Sequence, residues 1–422
     1  MERKLILYAL PLFAVAVLLD FFIDTAKKTN RYRITDSITS LTIGFLGTTA
    51  GLLTLGFVGF FYNGIFRWFH LFVIKDSIWS WALAAIIYDF FYYWMHRAHH
   101  RVNILWASHA THHNSEYFNF TTALRQSALG FLTVWIFFLP MAFLGFTYEQ
   151  YIFGAGLSTL YGFFTHTEFV RFIPYIEYIF IGPSSHRVHH GINDKYLDKN
   201  YGSILSIWDH IFGSYAFEKA EDPVRFGTIP LLNSFNPFMA NLTVYWLMLK
   251  DAFLCKSWRD KFLLWINKTG WRPADCGISW TTADGEKQIQ ANIKYDPQVA
   301  PKELVYVIFN FGMVALATIH LMLTAKLHSS LWSSLYILIL WLAMFSNSFF
   351  LQGKDFRFRF EWVRLVITGG VAFYASQENI GSIDVFWFSM VCALSFVMAI
   401  AWSCFNFLDI RLNLKTKSQR SQ

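Results

Sequence analysis

Long stretches of this 422-residue chain carry almost no charge, and they limit its folds more than any other feature. An apolar stretch of about 20 residues is long enough, as a helix, to cross the hydrocarbon of a bilayer with every backbone group paired internally. Such runs cover Leu5 to Phe22, Ser40 to Phe61, Ile78 to Trp94, Ser127 to Phe146, Tyr148 to Phe164, Leu304 to Met322, Leu331 to Phe350 and Ile383 to Phe407. The residues are 55% hydrophobic and 20% aromatic against 15% charged, too little charge to cover a soluble core of that size. The fold class expected is therefore all-α, a polytopic transmembrane helical bundle.

The first run is too long for a signal-peptide core and no small-residue cleavage site follows it, so a retained helix is expected. The fourth and fifth runs are separated so briefly that they must form an antiparallel hairpin. Leu365 to Ala375, with Gly369 and Gly370, is short enough to be re-entrant or half-spanning. Residues from Thr167 to about Pro301 are more polar. Within them Phe235 to Ile266 mixes apolar residues with Lys250, Asp251, Lys256, Arg259, Asp260 and Lys261, the pattern of interfacial helices lying flat. This divides the chain into N-terminal transmembrane helices (1–77), a histidine-rich region (78–218), cytosolic or interfacial helices (219–303), and C-terminal transmembrane helices with a basic tail (304–422).

Cations set the orientation. If the loop with Lys27, Lys28, Arg31 and Arg33 is cytosolic, alternating crossings put His96 to His113, Thr167 to Pro301, and the loop with Lys354, Arg357, Arg359 and Arg364 on the same side. The tail with Arg411, Lys415, Lys417 and Arg420 joins them if the short run spans. The membrane would be endoplasmic reticulum or a bacterial inner membrane. The net charge of +7 suits anionic headgroups, and nothing interleaves it into a nucleic-acid patch. Cys255, Cys276, Cys392 and Cys404 are scattered without CxxC spacing, so neither a disulfide framework nor a thiolate metal site is expected.

Ten of the 14 histidines lie between His96 and His190, and eight fall into three boxes: His96 and His100 in HRAHH, His109, His112 and His113 in HATHH, and His186, His189 and His190 in HRVHH. Spacings of three and four put the imidazoles of each box on one helical face. One ion takes four to six ligands, so eight or nine convergent imidazoles suit two ions. The bundle is thus expected to carry a dimetal cap on its cytosolic side. A lone buried histidine is more often a hydrogen-bonded core residue, but three boxes at the ends of apolar runs argue for function. Zinc competes with iron for imidazole, yet a structural zinc needs only four ligands and usually recruits Cys.

His166 ends the fifth run and is a candidate ninth ligand. His99 and His210 are read as non-ligands, and His70, His320 and His328 as structural or interfacial. Carboxylates are expected to orient the imidazoles, since a ligating ring normally donates its other N–H. Asp89 leads, followed by Asp209, Asp194, Asp198 and Glu116. Glu168, in HTEF, is the candidate catalytic or cofactor-binding carboxylate.

The three boxes resemble those of the fatty acid hydroxylase and sterol desaturase superfamily. WASHATHHNSEYFNFTTALRQS from Trp106 to Ser127, FTHTEF from Phe164 to Phe169, and SSHRVHHGINDKYLDKNYGSILSIWDHIFGSY from Ser184 to Tyr215 are similar to its ether-lipid-cleaving alkylglycerol monooxygenase branch. The resemblance is dense from about Asp89 to Glu218. It implies a non-haem diiron centre (two Fe), O2 as co-substrate, tetrahydrobiopterin as reductant, and a lipid substrate hydroxylated beside its ether oxygen to give a fatty aldehyde and a glycerol derivative. It implies that the eight box histidines are ligands and that Glu168 matches a Glu in the corresponding HTE motif. Asn119, Arg125, Asn200 and Tyr201 also fall on motif positions. The alternatives are a fatty acid, sterol or carotenoid hydroxylase or desaturase with another electron donor, and a zinc-dependent membrane hydrolase or metal-binding membrane protein.

Overall fold

A computed structural model of the chain describes residues 2–54, 56–276 and 279–377, with positions 393, 396, 397 and 400. The expected run Ile383 to Phe407 lies almost wholly outside the described residues, as do the basic tail, Cys392 and Cys404. Among the described residues the fold is all-helical, with three isolated bridges and no strand. In chain order the helices are α1 (Glu2–Lys27), α2 (Ile34–Leu53), α3 (Phe57–Phe69), α4 (Ile78–Arg101), α5 (Asn103–His113), α6 (Phe120–Ala123), α7 (Leu139–Leu144), α8 (Tyr148–Phe164), α9 (Pro183–His189), α10 (Ile207–Ile211), α11 (Pro237–Leu254), α12 (Trp258–Ile266), α13 (Ala283–Gln290), α14 (Pro301–Thr324), α15 (Ser330–Leu351) and α16 (Arg357–Gln377). They form two compact units, Met1–Tyr295 and Asp296–Gln422.

Among the described residues three helices are long and apolar enough to cross a membrane: Ala9–Lys27 within α1, then α14 and α15. The α1 helix exposes Leu12, Val15, Leu18, Leu19 and Phe22, a greasy face suited to lipid. The expected single run Ser40 to Phe61 is instead two helices, α2 and α3, bent by 54°, so it is a broken span or a re-entrant loop. The break falls where Gly56 takes a left-handed conformation (φ 87°), which ends one helix before the next begins. The run Ser127 to Phe146 is likewise not one helix. It is built from 3-10 turns at Gly130–Leu132 and Trp135–Phe138 followed by the short α7. Pro140, which has no N–H to give, sits in the first turn of that last piece. The turn into α8 needs Gly145, at φ 96°, where an added Cβ would lie 2.1 Å from the Phe72 carbonyl oxygen, and Phe138 before it packs on Tyr151 of α8 at 5.4 Å.

In the first unit α4 and α8 pack together and carry the fold's centre. Tyr88, Phe138, Met141, Tyr151 and Ile152 form a buried cluster with Tyr62 and Ala84. Gly154 of α8 meets the Cβ and ring of Tyr88, so a side chain there would hold the two helices apart. Ser77 and Ser80 cap the start of α4 reciprocally (3.1 and 3.2 Å). At its far end Val102 is extended, which turns the chain sharply into α5. Asn103 fixes that corner by donating to the carbonyls of Leu264 (2.8 Å) and Trp271 (3.0 Å). The expected interfacial segment is the pair α11 and α12, with Trp246, Phe253, Trp258 and Phe262 exposed along it.

In the second unit α15 packs against both α14 and α16. The Glu361 carboxylate accepts from Tyr306, Ser346 (2.6 Å) and Arg364 (Nε, 2.8 Å), and Asn310 donates to Asn347 (2.7 Å). Such side-chain bonds tie helices together where lipid supplies no hydrophobic drive. The short run Leu365 to Ala375 is not a separate piece but the second half of the 21-residue α16.

Candidate metal centre

The bend after α4 sends α5 back beside it, so the histidines that close α4 face those that close α5. Helix α9, two turns held by the Pro183 start and the Gly182–Ser185 bonds, brings the third box to the same place. Two ligand sets result. His96 and His100 of α4, His109 and His113 of α5, and His189 of α9 form one; His112, His166, His186 and His190 form the other.

The imidazoles of each box were expected to share one helical face. Instead the second and third boxes are divided. His109 and His113, four apart, project together, whereas His112 lies about 100° round the helix from His113 and turns to the other set. His189 and His190 part in the same way. The sets adjoin, with the rings of His113 and His190 stacked at 4.2 Å and those of His186 and His189 stacked at 5.4 Å. His166, the candidate ninth ligand, is in the second set, its Nε2 3.1 Å from that of His186.

Ring nitrogens here approach one another: His96 and His109 Nε2 at 2.9 Å, His109 and His113 at 3.1 Å, His113 and His189 at 3.2 Å, and His112 and His166 at 3.4 Å. Two nitrogens each about 2.05 Å from a shared ion are separated by roughly 2.9 Å at a right angle and roughly 3.4 Å at the tetrahedral angle. The spacing is that of ligands around a common cation. Buried Nε2 of His100 and His190 has no hydrogen-bond partner, a costly state for a neutral ring but the required one for a ligand. The donor set, all imidazole, fits iron, and nothing in it selects against zinc.

Burial holds these imidazoles below their ordinary value, and for His96, His100, His109, His113, His166, His186 and His190 neighbouring rings push further the same way. His112 is held down at about 4 and His189 at about 3, again through burial first. The neutral, ligand-ready form therefore prevails at physiological pH.

The orienting partners differ from the expectation. Four rings turn their Nδ1 to backbone carbonyls, not carboxylates: His96 to Tyr201 (2.8 Å), His112 to Arg125 (3.0 Å), His166 to Gly162 (2.7 Å) and His189 to Lys199 (3.0 Å). The reason is reach, since the loops already lie against the rings. The acids hold those loops. Asp209 accepts from the N–H groups of Tyr201 (2.8 Å) and Gly202 (2.7 Å) and from Ser214 (2.7 Å). Asp89 does the same for Ile204 (2.8 Å), Leu205 (3.1 Å) and the Trp208 indole (2.9 Å).

Among the described histidines of the boxes only His100 has a carboxylate beside its ring, Asp198 at 3.9 Å, which is itself paired with Arg101 (3.3 Å). Asp194 is exposed. Asn200, left-handed at φ 54°, joins the carbonyls of Ser185 and Ala216 (2.9 and 2.8 Å), and the Tyr201 ring stands 5.4 Å from that of His100. Arg125 is buried, bonding Thr111 and Asn114 while its own carbonyl orients His112. Asn119 caps α6 and donates to the Arg31 carbonyl (3.0 Å). Glu116 accepts from the Tyr295 N–H (2.9 Å), and burial pushes it up to about 7. Sequence reasoning passed over Asp36, buried beside Arg125 at 4.0 Å and hydrogen-bonded to Ser115 (2.9 Å), because an acid just ahead of an apolar run carried no signal of its partner.

Glu168 faces Arg31 at 4.0 Å, and Arg31 lies over the Phe169 ring at 4.3 Å, so the basic loop after α1 rests on the segment holding His166. Burial raises the Glu168 carboxyl above its usual range. His99 belongs to neither set: it bonds the Met95 carbonyl (2.8 Å) and Thr133 (2.9 Å). His210 stacks on Tyr215 at 4.0 Å and His70 bonds Phe66 at 2.8 Å, both away from the cluster. A cavity of about 260 Å³ opens beside the first set, lined by His100, Trp106, His113, His189, Leu197 and Ile229 among others.

Residues 81–214 match the family model for fatty acid hydroxylases. The chain is 34% identical over 319 residues to an alkylglycerol monooxygenase of Xenopus tropicalis, covering 75% of this chain and 70% of the relative. It is 32% identical over 368 residues to that of Danio rerio, covering 86% and 81%. An ornithine lipid hydroxylase of Rhizobium tropici is 29% identical over 142 residues, 32% of this chain and 41% of the relative. No solved structure matches.

Proposed function

Because the chain belongs to the alkylglycerol monooxygenase family within the fatty acid hydroxylases, and is an oxidoreductase of the monooxygenase class, we propose that it hydroxylates the carbon beside the ether oxygen of an alkylglycerol lipid. The overall change consumes one O2, two electrons and two protons; one oxygen atom enters the C–H bond and the other leaves as water. The product hemiacetal falls apart into a fatty aldehyde and the glycerol part. The observation that carries this reading is the pair of adjoining imidazole sets, nine rings in all, with several nitrogens left unpartnered.

Two iron ions bound there would supply the oxygen-activating chemistry, with tetrahydrobiopterin the reductant that the family resemblance favours. We assign His96, His100, His109, His113 and His189 to one ion and His112, His166, His186 and His190 to the other. The chain itself supplies position. Carbonyls of Tyr201, Arg125, Gly162 and Lys199 fix the tautomers so that Nε2 faces inward. The cavity beside the first set has room for the reacting part of a ligand but not a whole lipid; Trp106, Leu197 and Ile229 give it apolar walls that keep water from the reacting carbon. Glu168, at the Arg31 edge, is the carboxylate we assign to the reductant.

The cytosolic orientation is supported by Arg31. The cationic loop that the positive-inside rule places in the cytosol sits directly on the segment carrying His166.

Purified protein in detergent, given an alkylglycerol and reduced tetrahydrobiopterin, is expected to release fatty aldehyde only when oxygen is present, with about two irons per chain. Zinc with oxygen-independent turnover would overturn the reading. The similarity to an ornithine lipid hydroxylase favours one second reading, in which a hydroxylated lipid accumulates and no aldehyde forms.

A further inference from the structure

Neither cysteine spacing nor the oxygenation chemistry draws notice to Cys255 and Cys276, yet the fold brings them together. Cys255 closes the end of α11, its N–H bonded to the Asp251 carbonyl at 2.9 Å. Cys276 ends a 3-10 turn, Ala274–Cys276, that returns over the same helix end, where its thiol meets the Asp251 carbonyl at 3.4 Å. Asp275, beside it, turns one carboxylate oxygen to the Cys255 thiol (3.6 Å) and takes the Lys256 N–H on the other (2.9 Å). The two sulfurs and a carboxylate oxygen lie within 4.8 Å of one another. Both cysteines are free and almost wholly shielded, 2% and 3% exposed, while Asp275 reaches solvent.

We propose that Cys255, Cys276 and Asp275 bind a divalent metal of the zinc class, a structural clip separate from the histidine centre. As thiols the two cysteines gain only weak hydrogen bonds to the Asp275 carboxylate and the Asp251 carbonyl, whereas as thiolates beside a carboxylate they would bind a cation strongly, and the nearest guanidinium is already committed: Arg272 holds Asp251, with the Trp280 indole (2.9 Å) on the same carboxylate. Two soft sulfurs with one oxygen select zinc over the hard ions, with water left to complete four ligands. A thiol pair meant for a disulfide would have no use for the carboxylate. Nor do these suit a redox switch, since burial pushes the Cys255 thiol up to about 12 and makes it a poor nucleophile in the metal-free state.

The clip would join the end of α11 to the segment that follows α12. That segment bears on the histidine centre. Met248 of α11 and Leu264 of α12 are packed with Ala107 of α5, and Asn103 at the start of α5 bonds the carbonyls of Leu264 and Trp271. Holding the end of α11 to the segment after α12 therefore stiffens the platform under His109, His112 and His113.

Cobalt(II) tests this, because thiolate bound to cobalt gives a near-ultraviolet charge-transfer band that imidazole cannot give, and no sulfur lies in either histidine set. The full-length protein in detergent, stripped of metal and reconstituted with cobalt(II) alone, is expected to show that band. Cys255→Ser with Cys276→Ser should abolish it while iron binding at the histidines persists. If that double variant does not fold, Asp275→Asn at the exposed position provides a second test, with zinc affinity expected to fall by about tenfold or more. Absence of the band in wild type, an unchanged affinity in Asp275→Asn, or a disulfide between the two cysteines in the non-reduced peptide map would each overturn the clip and leave the oxygenation reading intact.

Discussion

A histidine's neighbours in the chain do not decide which ring set it joins; its angle on the helix does. His112 and His113 are adjacent yet belong to different sets, while His113 and His189, from separate boxes, share one. His99 sits inside HRAHH but bonds Met95 and Thr133. Two substitutions separate these roles. His113→Ala is expected to lose metal and to cut aldehyde formation by more than about 100-fold, whereas His99→Ala should keep full metal content and lose about 1–3 kcal/mol of stability from the abandoned Thr133 contact. Metal analysis and thermal melting of the two proteins side by side check both halves. Asp209 is a positioning residue that acts through the Tyr201 carbonyl on His96. For Asp209→Asn, metal affinity should fall about 10- to 100-fold with helical content unchanged by circular dichroism; an affinity equal to wild type would refute the relay.

Helices set the distances that the side chains then refine. α4 delivers His96 and His100 from its last turns, and α8 delivers His166 just past its end, so their crossing fixes the span between the two sets. Gly154 is where they touch, and an added Cβ would lie 2.6 Å from Tyr88. Gly154→Ala is expected to destabilise the protein by about 1–3 kcal/mol through overpacking, and to lower bound iron at a given free concentration although no ligand is altered. Retention of both wild-type melting temperature and iron content would show that the crossing is not what positions the centre. The apolar runs were legible as helices wherever nothing interrupted them, as in α1, α14 and α15. They misled at Gly56 and around Pro140, where backbone chemistry outweighs hydrophobicity, and hydropathy has no means of recording that.

Across the whole molecule, folding gathers neutral imidazoles that the unfolded chain would protonate near pH 6.5. His112 at about 4 and His189 at about 3 have folded values below the unfolded one. The stability they contribute is present above about pH 6.5 and is lost as pH falls toward those lower values. Glu116, raised to about 7, acts in the opposite sense, favouring the fold below about pH 4.5 and less as pH rises through 7, and Glu168, Asp198 and Asp209 are raised with it, but the nine lowered rings outnumber these acids. Chelator-stripped protein should therefore melt at a lower temperature at about pH 5 than at about pH 7.5. A flat or inverted dependence in thermal scans would mean the rings are not gathered and neutral as described.

The sequence by itself determined the membrane character, the helical class and the identity of the metal-binding residue type, because apolar length and histidine spacing are written locally in the chain. His166 was legible too, from its place at the end of a run. What only the tertiary structure decided was the division of nine rings between two sets, the use of carbonyls in place of acids to orient them, and the meeting of Cys255 with Cys276. Each depends on the direction in which one segment leaves another: the sharp turn at Val102, the crossing at Gly154, the return of residues 274–276 over α11. Direction arises from packing among residues far apart in the chain, and no local pattern encodes it.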